Sequence, residues 1–258
     1  MLKHQNVVPL LFSFSFIAVF LAAFDVVSWH WLFLILLLWL AITSWGAFDI
    51  RRSYFTTVFY KKVRHDGKSV ALTFDDGPTA LTAEFLDILK EHDARATFFC
   101  VGKQIEQYPL LFDRILQEGH CVGNHTMNHK RTFGFLTTEQ VVEEIEKCDA
   151  VFEKYYAVKT RLFRPPFGLT NPSIAKAVKH TKHQVIGWNN RSLDTVLGDD
   201  DKIYRRVCDR LQAGDIVLFH DRNRSSLKAL QKTLAYMKEQ HLHAVTVDEL
   251  LNLEAYES

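Results

Sequence analysis

Cysteine is scarce in this 258-residue chain, and neither sign of charge is in excess. The four cysteines (Cys100, Cys121, Cys148 and Cys208) are scattered and contain no CxxC pair. That excludes a disulfide framework of the small secreted kind, and it excludes a cysteine-built metal ribbon. Thirty-one basic residues against 30 acidic ones leave a formal charge of +1. So even a balance excludes a general polyanion binder, and with it a nucleic-acid partner. Repeats and low-complexity tracts are missing as well. At 48% hydrophobic residues the chain is too apolar to be disordered.

The averages conceal two unlike parts. Between Gln5 and Phe48 the only formal charge is Asp25, and four of the five tryptophans (Trp29, Trp31, Trp39, Trp45) fall there. Two apolar runs, Val7–Phe24 and Trp31–Phe48, are 18 residues each. As helices they would reach about 27 Å, close to the roughly 30 Å of a bilayer's hydrocarbon core. Asp25, Ser28 and His30 break the two runs, which predicts a membrane hairpin of two spans. Trp29, Trp31 and Trp45 sit near the run ends, where amphipathic rings favour the interface. A signal peptide has a far shorter apolar region. The expected organisation is an anchor over 1–53 in contact with the lipid bilayer, a linker over 54–65 and a globular domain over 66–258. Beyond residue 53 the charges cancel, 28 basic against 28 acidic.

In the globular part β-like runs alternate with helical ones. The runs are Ser69–Phe74, Ala96–Val101, His120–Gly123, Arg161–Phe163, Gln184–Trp188, Asp215–Phe219 and Ala244–Val247. Thr82–His92, Glu139–Tyr155 and Leu227–Lys238 carry helical patterns. Such alternation predicts parallel βαβ units, and seven of them in about 190 residues fit a closed or nearly closed β/α barrel. A barrel places its site at the carboxyl ends of its strands. Polar residues recur there: Asp75 and Asp76, Asn124 and His125, Arg164, Asn189 and Asn190, His220 and Asp221.

Each group has a chemistry. In Thr73-Phe74-Asp75-Asp76-Gly77-Pro78, adjacent carboxylates point in different directions, so one can bind a metal and the other move a proton. Alone, this is equally a solvated turn. In His125-Thr126-Met127-Asn128-His129 the four-residue spacing predicts a helical turn with both imidazoles on one face. Thr126 stands where a metalloprotease helix has glutamate, which weakens the protease reading. With Asp76, two histidines and one carboxylate make a zinc-type site with an open position for water. Arg164-Pro165-Pro166-Phe167-Gly168 is a stiff loop able to aim a backbone N–H. Its arginine is always charged. Leu218-Phe219-His220-Asp221 ends an apolar strand, with His220 suited to acid catalysis. Asp194 could orient that imidazole.

In this order the motifs TFDDGP, HTMNH, RPPFG, the Trp188–Asp194 segment and LFHD resemble the polysaccharide deacetylase family, the NodB-homology or carbohydrate esterase family 4 domain. The resemblance covers residues 66 to about 250. It implies an α/β fold, a distorted (β/α)7 barrel of the NodB type that removes N- or O-acetyl groups from carbohydrate. It implies Asp75 as base and Asp76, His125 and His129 as ligands of a divalent metal, zinc foremost, with water at the metal as nucleophile. Arg164 would hold Asp75, the Phe167 N–H would face the oxyanion, and His220 would be the acid with Asp194 as its partner. Pro165, Pro166, Trp188 and Leu218 are the expected substrate contacts. The family's usual tryptophan after the Asp194 position is Thr195 here, which leaves one wall of the groove open to question. The hairpin lies outside the resemblance.

Two other functions fit the same residues: a membrane-tethered carbohydrate-binding relative without catalysis, and an amidohydrolase acting on a small soluble amide. The expected substrate is a glycan containing N-acetylglucosamine, at a cell membrane crossed twice. Sidedness is a conflict. Lys3 and the flank Arg51, Arg52, Lys61, Lys62 and Arg64 favour the cytoplasm by the positive-inside rule. An envelope glycan requires the opposite face.

Overall fold

The structure, a computed structural model, describes residues 3–63, 67–157 and 159–257. Arg64 of the basic flank lies outside them. Two long helices come first, α1 (His4–Ala23) and α2 (His30–Phe48). The strands are β1 (Val58–Phe59), β2 (Ser69–Asp75), β3 (Thr97–Cys100), β4 (Cys121–Asn124), β5 (Leu162–Phe163), β6 (Gln184–Ile186), β7 (Asn190–Arg191), β8 (Ile216–His220) and β9 (His243–Val245). The helices between them are α3 (Thr82–Glu91), α4 (Gly102–Gln107), α5 (Pro109–Gln117), α6 (Thr138–Tyr156), α7 (Pro172–Thr181), α8 (Asp194–Leu197), α9 (Asp200–Cys208), α10 (Arg224–Glu239) and α11 (Val247–Leu251).

All strand pairs are parallel, in the order β1-β6-β5-β4-β3-β2-β8-β7, with β9 joining β2. The sheet curls into a half-barrel whose ladder ends at β1 and β7. The α/β barrel class read from the sequence is the fold observed. Two strands have no counterpart in the expected seven. Val58–Phe59 and Asn190–Arg191 are two residues long, too short for any periodicity to register. The first lies within the stretch expected as linker and pairs with β6.

Alternation along the strands decides what faces the site. Successive side chains point to opposite faces. In β2, Val70, Leu72 and Phe74 pack outward against Phe85, Leu86 and Leu89 of α3. Ala71 faces inward, and Thr73 and Asp75 share its parity. In β8 Val217 and Phe219 join the outer layer while Ile216 faces in, with Leu218 and His220 in register behind it. Burying each of these large apolar side chains contributes roughly 1.5–3 kcal/mol. The chain therefore cannot shift β2 or β8 by one residue without expelling Phe74 or Phe219 from the core. The same constraint fixes Asp75 and His220 at the inner mouth, paired across adjacent strands.

Helix ends follow local chemistry. Thr137 and Gln140 form a reciprocal cap on α6, Asn171 caps α7 ahead of Pro172, and Asn223 caps α10.

The first two helices are long and apolar enough to cross a membrane. Along α2 only Gly46 is buried, and Tyr54 lies against it. The hairpin's two open ends meet the barrel. The His4 N–H donates to the Tyr54 carbonyl at 2.9 Å, and the Thr170 N–H donates to the Ala47 carbonyl at 3.1 Å.

Candidate active site

Asp75 closes β2 and is 4% exposed. Its Oδ1 accepts a 2.7 Å bond from Arg164, which follows β5 and is fully buried. The rest of that guanidinium is also satisfied. Nη1 reaches Thr73 Oγ1 at 2.8 Å, Nε reaches the Ile186 carbonyl at 3.1 Å, and Nη2 reaches the Gly187 carbonyl at 2.9 Å. Phe99 stacks beneath it, 4.0 Å from ring centroid to guanidinium carbon. Burial lowers the Arg164 pKa while Asp75 works against that shift; the group stays a cation, since guanidinium is not deprotonated in proteins.

Asp76 turns the other way because its backbone is left-handed, φ 74°. Its Oδ1 lies 3.6 Å from His125 Nε2 and 3.4 Å from His129 Nε2. The three donor atoms are all within 4.8 Å of one another. Ligands about 2.0–2.2 Å from a tetrahedral ion lie roughly 3.3–3.5 Å apart, so the cluster fits a zinc-sized cation. The imidazole orientation fits too. His125 Nδ1 sits 2.7 Å from the Arg164 carbonyl, which can only accept, so Nδ1 carries the proton and Nε2 is left as a ligand. Burial lowers the His129 pKa and favours its neutral form. Burial alone would raise the Asp76 carboxyl, but the neighbouring His125, ahead of His129 and His220, holds it well below the usual range.

The expected helical turn over 125–129 is overturned. His125 leaves the end of β4 into a loop in which Thr126 (φ 70°) and His129 (φ 45°) are left-handed. Two such residues end any helix. The rings still meet, with centroids 4.9 Å apart, because the loop is clamped from α6. Buried Glu144 accepts from the Asn128 N–H and Nδ2 at 2.9 and 2.8 Å, and from Lys130 at 2.8 Å. Asn124 pins the loop's start, accepting from the Thr126 N–H at 2.8 Å and donating to Asp149 at 2.8 Å.

His220 and Asp194 form a second pair. Asp194 Oδ1 is 2.8 Å from His220 Nδ1, and its Oδ2 takes the His220 N–H at 2.7 Å and the Ser226 hydroxyl at 2.6 Å. Burial disfavours the imidazolium, but the Asp194 hydrogen bond and charge, with Asp75 and Asp76, raise the His220 pKa above its ordinary value. Burial raises the Asp194 carboxyl, and its bond to His220 outweighs that, leaving it lowered. If protonated His220 is needed for turnover, activity must fall on the alkaline side above about 6.5. Asp194→Asn is then expected to move that limb downward. A pH profile of kcat checks the direction, and an unchanged limb contradicts the pairing.

Phe167 is left-handed at φ 61°, ψ 3°. Such a residue costs roughly 1–3 kcal/mol, held here by the two prolines before it. Its ring packs edge-on against His129 at 5.0 Å and is 58% exposed. Gly168 has φ 68°, and a Cβ there would collide with the Trp188 ring. Of the expected substrate contacts, Trp188 is half-buried beside the mouth, 5.4 Å from the Arg164 guanidinium. Leu218 is buried within β8, and Pro165 and Pro166 are buried in their loop. Thr195 follows Asp194 in α8 and is exposed.

Two contributors, Arg222 and Glu144, escape the motif reading, and a third residue, Asp221, enters it only as the polar end of LFHD. Arg222, directly after LFHD, donates to Asp76 Oδ2 at 2.6 Å. Asp221 is buried behind Gly77, bonded to the Thr82 hydroxyl, and burial pushes its carboxyl up to about 7. Glu144 is the loop clamp, and its only trace in the sequence is a charge on the buried side of a helical pattern.

The chain is similar to known proteins. A polysaccharide deacetylase family model matches residues 62–186. A peptidoglycan-N-acetylglucosamine deacetylase from Bacillus cereus is 37% identical over 196 residues, covering 74% of this chain and 91% of that one. Peptidoglycan-N-acetylmuramic acid deacetylase PdaC from Bacillus subtilis is 33% identical over 184 residues, but the match spans only 38% of its length. Its solved structure superposes with a TM-score of 0.68 at 32% identity, covering 73% of this chain and 92% of that one. The Bc1960 peptidoglycan N-acetylglucosamine deacetylase gives 0.73 at 26% identity, covering 78% and 95%. The chain belongs to the polysaccharide deacetylase family. It is a hydrolase of carbon–nitrogen bonds other than peptide bonds.

Proposed function

We propose that the chain is a membrane-anchored deacetylase of N-acetylated glycan of the peptidoglycan type, acting on N-acetylglucosamine or N-acetylmuramic acid units. The observation that carries this is the convergence, at one barrel mouth, of a gripped carboxylate, a three-donor metal cluster and a carboxylate-paired histidine.

Asp76, His125 and His129 would hold a divalent metal, zinc in this reading, which would supply Lewis acidity to the acetyl carbonyl and to the attacking water. Asp75 accepts the proton that this water loses as it adds to the carbonyl carbon. Arg164 keeps that carboxylate aimed inward through the 2.7 Å bond. The Phe167 N–H stabilises the developing oxyanion. His220, with Nδ1 held by Asp194, donates from Nε2 to the departing sugar amine as the carbon–nitrogen bond breaks. The products are acetate and the free amine. The test is acetate release from an N-acetylglucosamine oligomer beside a small soluble N-acetyl amide. The glycan is expected to be turned over and the small amide left intact, and the reverse preference contradicts the proposal.

The hairpin is the anchor. If both helices cross, residues 3 and 257 lie on one side of the membrane. Epitope tags at the two termini are expected to share one accessibility in intact cells. Opposite accessibilities would mean a single span.

A further inference from the structure

A trench runs from Phe167 and Trp188, which flank the catalytic mouth, to the end of the membrane hairpin. Two adjoining cavities of about 690 and 680 Å³ form it, sharing Trp45, Arg51, Lys61 and Asn189 on their walls. The two linings differ in character. At the mouth stand Phe167 and Trp188. The second cavity alone takes in Ile42 and Gly46 of α2, beside the exposed apolar flank of that helix, with Trp45 on the wall the two cavities share. The cations Lys61, Arg191, Arg206 and Arg210 line the same cavity as Phe167 and Trp188.

These four cations are available. Among the described residues, none of them has a carboxylate within salt-bridge distance. Arg206 spends only its Nε, on the Arg191 carbonyl at 2.9 Å. The acids nearby are mostly committed. Asp49 is held by Arg51 and Arg52 at 2.7 and 3.1 Å. Asp215 is buried and bonded to the Asn189 amide and the Gln212 N–H. Asp209 is exposed at the rim. A cluster of unpaired guanidinium and ammonium groups at a cavity wall is a site for anions, and planar guanidinium matches phosphate oxygens in particular.

We propose that this trench takes a glycan carried on lipid through phosphate. The apolar end receives the first part of the lipid, the cationic middle receives the phosphate or diphosphate, and the acetylated sugar reaches Asp75 and His220. The proposal rests on the deacetylase reading above and names the form in which its substrate arrives. A carboxylate-bearing glycan strand shares the anionic charge but has no apolar segment to occupy the Ile42–Trp45 end. Phosphate beside a membrane helix is also where a lipid carrier places it.

The test uses the full chain in lipid nanodiscs with four substrates. They are polyprenyl diphosphate-linked N-acetylglucosamine, soluble N-acetylglucosamine 1-phosphate, a neutral N-acetylglucosamine oligomer and a carboxylate-bearing muropeptide strand. The lipid-linked sugar is expected to exceed the neutral oligomer about tenfold in kcat/KM, with the soluble phosphate between them, on the scale of one or two charge-assisted contacts. In Arg206→Ala/Arg210→Ala, and separately in Lys61→Ala, the ratio of lipid-linked to neutral kcat/KM is expected to fall about tenfold. Turnover of the neutral oligomer shows that each variant is folded. A wild-type ratio near one, or a ratio unchanged in the variants, overturns the proposal while leaving the deacetylase reading intact. A soluble phosphate as good as the lipid-linked one overturns the lipid part. Loss confined to the muropeptide strand assigns the cations to carboxylate and overturns it too. No acetate from any of the four overturns both readings.

Discussion

Replacing Asp75 with asparagine is expected to lower kcat by about two to four orders of magnitude, the range for losing a positioned general base. Metal content should stay near that of the parent, because Asp76, His125 and His129 are untouched. Asparagine keeps an oxygen for the Arg164 bond but removes the counter-charge. Arg164 has no solvent to turn to, since it is fully buried. Loss of one partner from a buried ion pair typically costs about 3–5 kcal/mol. The activity measurement therefore needs a thermal melt beside it. A folded, metal-replete Asp75→Asn enzyme with undiminished turnover would remove Asp75 from the base role.

Arg164→Ala is expected to be the most destabilising single change in the barrel. It orphans the Asp75 carboxylate, the Thr73 hydroxyl and the Ile186 and Gly187 carbonyls at once, and it empties the space over Phe99. An unpaired buried carboxylate alone accounts for about 3–5 kcal/mol, a large share of the stability of a typical domain. Arg164→Lys tests the geometry separately from the charge. Lysine has one nitrogen where arginine has three, and it cannot span these acceptors as a planar fork. The lysine variant should fold better than the alanine variant yet stay well below the parent in both denaturation midpoint and kcat. If both variants unfold at the parental midpoint, the guanidinium does not hold the barrel interior together.

Much of this site is legible in the sequence because strand alternation carries it. Val70, Leu72 and Phe74 must face the helices, so Thr73 and Asp75 must face inward. The same parity puts Leu162 inward in β5 and Arg164 in line behind it. The hairpin is legible by length and apolar composition. Other features are not encoded locally. The 125–129 spacing matches a helix, yet the strand before it and the Glu144 clamp force a loop with left-handed Thr126 and His129. Arg222 and Glu144 act across long sequence separations through hydrogen bonds that no short pattern reveals. Pro165 and Pro166 shape their loop from buried positions, a role that composition alone does not distinguish from contact with sugar. The two-residue strands β1 and β7 come from pairing with neighbours already in place, not from their own propensity.

Acetate release is expected to depend on a metal held by Asp76, His125 and His129. That dependence is tested by following acetate from an N-acetylglucosamine oligomer before chelation, after chelation, and after titrating a divalent cation back. The expected result is loss of activity with chelator and full recovery at about one metal per chain. Acetate release at the original rate in the metal-free protein would contradict it.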